Sequence, residues 1–210
     1  MIDSLVLATA NPHKAEEIQA ILEDAGIPIL TLHAFTDFPG VVEDGVTCQE
    51  NAVKKAKATA VFTGRWALAD DTGLEVDALQ GRPGVYAARY AGEHATYEEN
   101  CQKLLQELQD VPSDQRTARF ITVVALSNPE GHTEIVEGTL EGTITQAFQG
   151  SDGFGYDPVF YVPQAGKTLA EMTFAEKNRM SHRARAVTKA KSLLAKHRHQ
   201  SHESGRSAAR

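Results

Sequence analysis

Two adjacent carboxylates follow an apolar run in the first half of the chain. Residues 66–69 are hydrophobic, and Asp70, Asp71, Thr72 and Gly73 come directly after them. Burying one carboxylate is costly, and burying two without a cation costs more. A divalent metal with oxygen ligands would offset that cost, and Glu43 or Asp44 could supply a third carboxylate. The alternative is a turn with one capping and one solvated aspartate, but the position directly after an apolar strand favours a metal site.

A second candidate site lies where the first strand of the chain meets the first helix. Its residues offer a hydroxyl, an amide, backbone N–H groups at a helix N-terminus and an ammonium: Thr9, Ala10, Asn11, Pro12, His13 and Lys14. These groups fit an anion, because the helix dipole favours negative charge there. An ordinary N-cap by Thr9 or Asn11 with a solvated Lys14 explains the same residues, and both interpretations stay open. No Gly-x-Gly-x-x-Gly or Walker motif is present, so neither a dinucleotide fold nor a P-loop is indicated.

Two further groups of residues occur late in the chain. A glycine-rich loop ends in Phe154, Gly155, Tyr156 and Asp157; an aromatic ring there could stack on a planar base, and Asp157 could accept hydrogen bonds from it. A plain turn with its aromatics in the core is the alternative. A basic segment follows, with its leading members around a predicted helix start: Lys177, His182 and Arg183. A cation in a first helical turn opposes the helix dipole unless an anion lies there, which suggests an anion site at this helix start. Taken with the carboxylate pair, the first turn and the aromatic loop, these residues indicate a nucleotide and metal-assisted phosphoryl chemistry.

Charge is distributed unevenly along the chain. The formal net charge is −7, yet residues 1–176 carry 11 Lys and Arg against 27 Asp and Glu, whereas residues 177–210 carry 10 against 1. An acidic body argues against binding nucleic acid through its phosphates. Only four of the late cations lie from Lys196 onward, without interleaved aromatics, which makes a poor nucleic-acid patch. We therefore expect a small anionic substrate and no nucleic-acid partner.

The elements that must position these residues alternate between strand and helix. Apolar patterns predict strands over residues 4–9, 27–32 and 66–69, a hairpin over 117–127 and 133–137 extended by 140–145, and helices over 14–23, 49–62, 96–108 and 181–196. We expect an α/β fold with a two-lobed mixed β-sheet, flanking helices and a central cleft. Residues 1–196 would form a single catalytic domain. Residues 197–210 have almost no apolar side chains and are predicted to be disordered.

Other classes of protein are excluded by simple counts. The longest stretch without Asp, Glu, Lys or Arg covers residues 25–36, short of the roughly 18 apolar residues of a membrane span. The start lacks the basic region of a secretory signal. Two cysteines, Cys48 and Cys101, are too few for a disulfide framework or a zinc cluster. A cytoplasmic, reduced protein without a membrane partner is expected.

Six motifs occur in order over about residues 4 to 196. They are Thr9-x-Asn11-x-x-Lys14, Glu50-Asn51-Ala52 with Lys54-Lys55-Ala56, residues 69–74 (ADDTGL), residues 83–90 (PGVYAARY), residues 153–158 (GFGYDP), and Glu176-Lys177 followed by Ser181-His182-Arg183. In type and order they resemble the inosine triphosphate pyrophosphatase family, also called Ham1-like or non-canonical purine NTP pyrophosphatases. The chain departs from the family pattern at Ala10, Thr72 and Cys48, where Gly, Ser and an aromatic residue are common.

The resemblance implies a Mg²⁺-dependent homodimer that hydrolyses dITP, ITP or XTP to the monophosphate and pyrophosphate. By the same resemblance, Asp71 would accept the proton of water, Asp71 and Glu43 would bind the metal, and Asp70 would support them. Residues 9–14, Lys54 and Lys177 would hold the triphosphate, and Thr72 would contact substrate. The base would meet Phe154, Asp157, His182 and Arg183. Donors such as His182 and Arg183 fit the carbonyl that deamination places on a purine. A non-catalytic nucleotide sensor is the alternative, although it would not need Asp70 and Asp71.

Overall fold

The computed structural model describes the backbone of residues 2–207 and the side chains of residues 2–198. Within that part of the chain there are five α-helices and eight β-strands. The helices are α1 (Pro12–Leu22), α2 (Cys48–Thr63), α3 (Tyr97–Glu107), α4 (Phe174–Met180) and α5 (His182–Ser207). The strands are β1 (Leu5–Leu7), β2 (Ile29–Thr31), β3 (Trp66–Val76), β4 (Pro83–Gly84), β5 (Thr117–Ser127), β6 (Thr133–Ile144), β7 (Phe160–Val162) and β8 (Lys167–Thr168). None of the described helices is long and apolar enough to cross a membrane.

The strands form a mixed sheet in the order β2-β1-β3-β5-β6-β7-β8, with β4 paired to β3. β1 runs parallel to both of its neighbours and places Leu5 opposite Ile29 and Trp66. Parallel pairing requires a crossover, which α1 and α2 supply. β7 pairs antiparallel with β6, and β8 with β7. The predicted α/β class with a mixed sheet and flanking helices is therefore confirmed.

The chain folds into two compact units. Unit 1 takes the chain up to Asp71, residues 123–138 and the chain from Ala184 onward, and unit 2 takes residues 72–122 and 139–183. Three long strands, β3, β5 and β6, contribute residues to both units. The boundary within β3 falls between Asp71 and Thr72, so the chain passes from one unit to the other at the motif that the sequence singled out.

The buried cores confirm the helical stripes expected from the sequence. In unit 1 the apolar face of α1 packs with that of α5, and a second cluster forms on the alanine face of α2. In unit 2 the apolar face of α3 packs against the later strands. The buried apolar residues of the helices include Ile18 and Leu22 of α1, Ala52, Ala56 and Ala60 of α2, Cys101 and Leu104 of α3, and Val187, Ala190 and Leu194 of α5.

Two strands are longer than the sequence predicted. The strand expected over residues 66–69 continues to Val76, so Asp70 and Asp71 lie inside a strand and not in a turn. Apolar alternation resumes after them, because Leu74 and Val76 are fully buried with Glu75 between them. Likewise, β6 is one strand of 12 residues where two runs were expected. Lys14 and Lys55, described below, give the two aspartates the cations that let the strand continue.

The last helix also extends beyond its predicted end at Lys196. It continues to Ser207, so residues 197–207 are helical where disorder was expected. Two contacts within unit 1 hold the start of this extension. The centres of the His197 and Trp66 rings are 4.8 Å apart, and the Arg198 guanidinium donates to the backbone oxygen of Ala25 at 2.7 Å. The rest of the expected disordered segment, residues 208–210, lies outside the described residues.

A buried arginine in unit 2, Arg116, donates hydrogen bonds to three backbone carbonyl oxygens. The Arg116 guanidinium donates to the backbone oxygens of Leu108, Val111 and Thr145 at 2.6, 3.0 and 2.8 Å. Only 3% of Arg116 is exposed. Leu108 is the C-cap of α3, where free carbonyls and the helix dipole both favour a cation. Three donors in one planar fork are needed, and lysine does not offer that geometry.

We expect Arg116→Lys to lower the free energy of unfolding by about 3 kcal/mol, since two charge-assisted hydrogen bonds to buried carbonyls are lost. Urea denaturation followed by circular dichroism measures the change. Arg119→Lys is the matched control, because Arg119 lies three residues further along the chain, in β5, but is 35% exposed and pairs with surface carboxylates; its cost should stay below about 1 kcal/mol. Equal losses in the two variants would contradict the role given to Arg116.

Candidate active site

A group of three carboxylates and two lysines lies in unit 1, and we call it the carboxylate group: Glu43, Asp70, Asp71, Lys14 and Lys55. Lys14 Nζ lies 3.1 Å from Asp70 Oδ2. Lys55 Nζ lies 2.7 Å from Glu43 Oε2, 2.8 Å from the backbone oxygen of Asp70 and 3.9 Å from Asp71 Oδ1. Asp70 is 1% exposed and Asp71 9%. Both aspartates are therefore buried beside cations that two different helices supply.

The charges of this group act on one another. Burial raises the pKa of the Asp71 carboxyl above its ordinary value, and Lys55, Lys14 and Asn51 counteract only part of that effect. Burial by itself would lower the pKa of Lys55, but Asp70, Asp71 and Glu43 outweigh it and the pKa is raised. Lys55 therefore stays protonated, while Asp71 holds a proton more firmly than an exposed aspartate does. A carboxylate with a raised pKa is the better proton acceptor near neutral pH.

Asn51 braces Asp71 from α2. Its Oδ1 accepts from the backbone N–H of Gly45 at 2.8 Å, which fixes the amide orientation, and its Nδ2 donates to Asp71 Oδ2 at 3.1 Å. A Cβ at Gly45 would lie 2.6 Å from Asn51 Oδ1, so the loop approaches too closely for any other residue. The loop that carries Glu43 is thereby held next to Asp71.

Asn51 and Lys55 contact Asp71 but were given no role from the sequence. Lys54, predicted to hold the triphosphate, instead pairs on the surface with Asp44 at 2.5 Å, with exposed fractions of 44% and 67%. Helical spacing could have distinguished the two lysines. Asn51 and Lys55 are four residues apart and share the face of Ala52 and Ala56, which packs inward.

The first strand–helix turn is built as an N-cap. Asn11 Oδ1 accepts from the backbone N–H groups of His13 and Lys14 at 3.0 and 3.4 Å, and the Thr9 hydroxyl accepts from Asn11 N at 3.2 Å. Pro12 occupies the first helical position. The prediction that Asn11 caps the helix is thus confirmed. The accompanying prediction that Lys14 is solvated is wrong, because Lys14 pairs with Asp70.

Glu43 and Asp71 have the right chemistry for a hard divalent cation. Their oxygens already converge on one positive charge, the Lys55 ammonium, at 2.7 and 3.9 Å. Within the described side chains, no three His, Cys, Asp or Glu residues are arranged to hold a metal ion. Mg²⁺ characteristically takes one or two carboxylates and completes its shell with phosphate oxygens and water. The donor set therefore fits a metal that arrives with a phosphorylated substrate.

A second cluster in unit 2 surrounds one aromatic ring, and we call it the ring group: Phe154, Asp157, Lys177 and Arg183. Lys177 Nζ and Arg183 Cζ lie 4.5 and 5.4 Å from the centre of the Phe154 ring. Asp157 Oδ2 accepts from Phe154 N at 2.8 Å and from Lys177 Nζ at 2.5 Å. Lys177, predicted to hold the triphosphate, is thus placed beside the ring. Two cations therefore contact the Phe154 ring through cation–π interactions.

The remaining residues of the glycine-rich loop behave as the plain-turn interpretation expects. Tyr156 is buried, and its hydroxyl donates to the backbone oxygen of Ala87 at 2.8 Å. The backbone oxygen of Gly155 accepts from the buried Cys101 thiol at 3.3 Å. Burial first, and then Asp157 and Glu98, raise the pKa of Cys101 to about 12. Of the two aromatic residues in the loop, Phe154 is therefore the candidate for contact with a base.

Polar side chains at the start of α5 are buried as well. His182 and Arg183 are 3% and 2% exposed. Arg183 Nη2 lies 3.3 Å from the Thr72 hydroxyl, which in turn lies 2.7 Å from the hydroxyl of Thr122. Thr72 is thus joined to a predicted base-reading residue and is the chain neighbour of Asp71.

In unit 1, Cys48 lies near Asp71, and burial together with that carboxylate raises the pKa of the Cys48 thiol to about 12.

Comparison with known proteins gives a consistent set of relatives. Residues 5–193 match the Ham1 family. A dITP/XTP pyrophosphatase of Desulforamulus reducens is 50% identical over 190 residues, which cover 90% of this chain and 94% of that protein. A dITP/XTP pyrophosphatase of Geobacter sulfurreducens is also 50% identical, over 90% of this chain and 96% of that protein.

Solved structures agree with these relatives. A HAM1 protein from Coxiella burnetii superposes with a TM-score of 0.84 at 41% identity, covering 92% of this chain and 98% of that one. The Ham1 protein of Staphylococcus aureus gives a TM-score of 0.82 at 37% identity, covering 92% of this chain and 99% of that one. The similarity therefore extends over nearly the whole length of each protein.

The positive charge of Lys55 should contribute to the stability of the folded protein. We expect Lys55→Met to lower the free energy of unfolding by about 3 kcal/mol in metal-free buffer, because three carboxylates lose a buried cation. Adding Mg²⁺ should recover part of the loss by binding the folded state. Thermal and urea unfolding measure both effects. Lys54→Met is the control and should cost less than about 1 kcal/mol; an equal effect of the two variants would contradict the assignment of Lys55 to the group.

Proposed function

The chain belongs to the Ham1 family, and we propose that it hydrolyses the non-canonical purine nucleoside triphosphates dITP, ITP and XTP to the monophosphate and pyrophosphate. Relatives that carry the dITP/XTP pyrophosphatase name are 50% identical over nine-tenths of the chain. The observation that carries the proposal is the carboxylate group, in which Lys55 joins the exposed Glu43 to the buried Asp71. A nucleotide sensor without chemistry would have no use for two buried carboxylates, Asp70 and Asp71.

Asp71, the two lysines of the carboxylate group and Asn51 have different parts in the proposed reaction. Asp71 accepts a proton from the water that attacks the α-phosphorus, the bond from that phosphorus to the bridging oxygen breaks, and pyrophosphate leaves. Lys14 and Lys55 provide positive charge for the phosphates, and Asn51 keeps the Asp71 carboxylate oriented.

Glu43 and Asp71 are the proposed ligands of Mg²⁺. The metal, when bound, neutralises charge on the triphosphate and helps the pyrophosphate to leave. Glu43 pairs with Lys55, which also contacts Asp71, whereas its neighbour Asp44 pairs with Lys54 on the surface. Of the two acidic residues between which the sequence could not decide, Glu43 is therefore the one proposed.

The ring group is proposed to take the base. Phe154 offers a stacking face, and His182 and Arg183 offer hydrogen-bond donors to the carbonyl at C6 of a deaminated purine. Adenine presents an amino donor at that position, and two donors facing each other would leave both unpaired. The same proposal includes a homodimer that acts in the cytoplasm and removes deaminated purines from the nucleotide pool.

The activity itself is tested with purified protein, Mg²⁺ and separate triphosphates. We expect dITP, ITP or XTP to yield the monophosphate and pyrophosphate much faster than dATP, and Asp71→Asn to slow the reaction about a thousandfold by removing the proton acceptor. Ion-exchange chromatography identifies the products. Asp77→Asn, an exposed change just past β3, is the control. Release of single phosphates, or full activity in Asp71→Asn, would overturn the mechanism.

The metal ligand is tested by a pair of adjacent variants. Glu43→Gln should raise the Mg²⁺ concentration for half-maximal rate by about tenfold or more, since one charged ligand becomes neutral. Asp44→Asn should leave that concentration close to the wild-type value. Titration of Mg²⁺ at saturating dITP measures both, and the reverse order of effects would assign the ligand to Asp44.

A further inference from the structure

Thr122 has no exposed surface and lies in β5, where its hydroxyl joins two predicted substrate-contacting residues. Its Oγ1 is 2.7 Å from the Thr72 hydroxyl and 2.6 Å from Nδ1 of His182. Arg183 Nη2 lies 3.3 Å from the Thr72 hydroxyl. We call this chain of four side chains, all in unit 2, the hydroxyl relay: Arg183, Thr72, Thr122 and His182.

The number of protons in the relay favours one direction. Arginine only donates, so Thr72 accepts from Arg183, and Thr122 has a single proton to donate. If Thr72 donates to Thr122, then Thr122 donates to Nδ1 of His182 and every hydroxyl proton is used. In the opposite direction the Thr72 proton has no other recorded acceptor among the described residues. Hydrogen bonds aligned head to tail from a charged donor also polarise one another.

The direction of the relay determines what His182 offers to a ligand. In a neutral imidazole one nitrogen carries the proton and the other accepts. If Nδ1 accepts from Thr122, the proton lies on Nε2. The ring is held in place by stacking on Phe120, with 4.5 Å between ring centres and 24° between planes. Nε2 is then a fixed hydrogen-bond donor.

We propose that Thr122 is a specificity-determining positioning residue, which holds His182 as an Nε2–H donor and thereby favours purines with a carbonyl at C6 over adenine. The inference rests on the proposed function, because it concerns the base of the same substrate. It assigns no role to the relay in excluding guanine, which also carries a carbonyl at C6. Thr122 itself touches no substrate; its effect passes through His182.

The protonation state of His182 is measured directly by NMR. Long-range ¹H–¹⁵N correlation spectra of the full-length protein without nucleotide distinguish the two tautomers and the imidazolium, and the His182→Gln variant assigns the signal. We expect the Nε2–H tautomer, with Nδ1 shifted as an acceptor. In Thr122→Val, Nδ1 should move to the shift of a nitrogen without a hydrogen bond. An Nδ1–H tautomer or an imidazolium in the wild type overturns the proposal, and no variant is needed for that result.

Kinetics then measure the consequence for specificity. The ratio of kcat/KM for dITP to that for dATP should fall about tenfold in Thr122→Val, mainly through KM for dITP. Thr122→Ser keeps the hydroxyl and should restore the wild-type ratio; Thr122→Cys, a weaker donor, gives a second test if the valine variant does not fold. Thr117→Val is the matched control on the same strand, since its hydroxyl bonds to Asp77 outside the relay. An unchanged ratio in both Thr122→Val and Thr122→Cys would refute the proposal.

The two proposals fail separately. If the protein hydrolyses no purine triphosphate, the proposed function is wrong, and the tautomer of His182 still tests the relay. If it hydrolyses dITP while His182 carries its proton on Nδ1, only the role of Thr122 is wrong.

Discussion

The buried charge of Asp70 and Asp71 is the constraint on which unit 1 depends. Two desolvated carboxylates in one strand are unfavourable unless cations accompany them, and the cations come from elsewhere in the chain: Lys14 from α1 and Lys55 from α2. The helices must therefore pack against the sheet at fixed positions. The small alanine face of α2 allows the close approach that brings Lys55 to the strand.

Neighbouring polar residues of β3 have different partners. Asp70 contacts the helix at the N-terminal turn, whereas Asp71 contacts Asn51 and Lys55 of α2. Thr72, next along, belongs to a different set of partners in unit 2. A run of three polar residues in one strand therefore has two members in unit 1 and one in unit 2.

Much of the fold followed from the sequence because apolar periodicity reports burial directly. Helices α1, α2, α3 and α5 were predicted correctly except for the end of α5, whereas the roles of Asp70 and Asp71 stay predictions. The length of β3 was not predicted, since polar residues inside a strand resemble a turn until their partners are known. Lys54 was chosen over Lys55 for a related reason: two adjacent lysines differ only in the helix face they occupy. Thr122 gave no signal at all, because a threonine in a β-rich run is ordinary.

The two cysteines of the chain have a practical consequence for labelling. Only the thiolate reacts quickly with alkylating dyes and oxidants, and burial raises the pKa of Cys48 and of Cys101 to about 12, so both thiols stay protonated at pH 8. An exposed cysteine would react far faster at the same pH. A single cysteine introduced on the surface would therefore accept a fluorophore or spin label selectively, in a protein that keeps both of its native thiols.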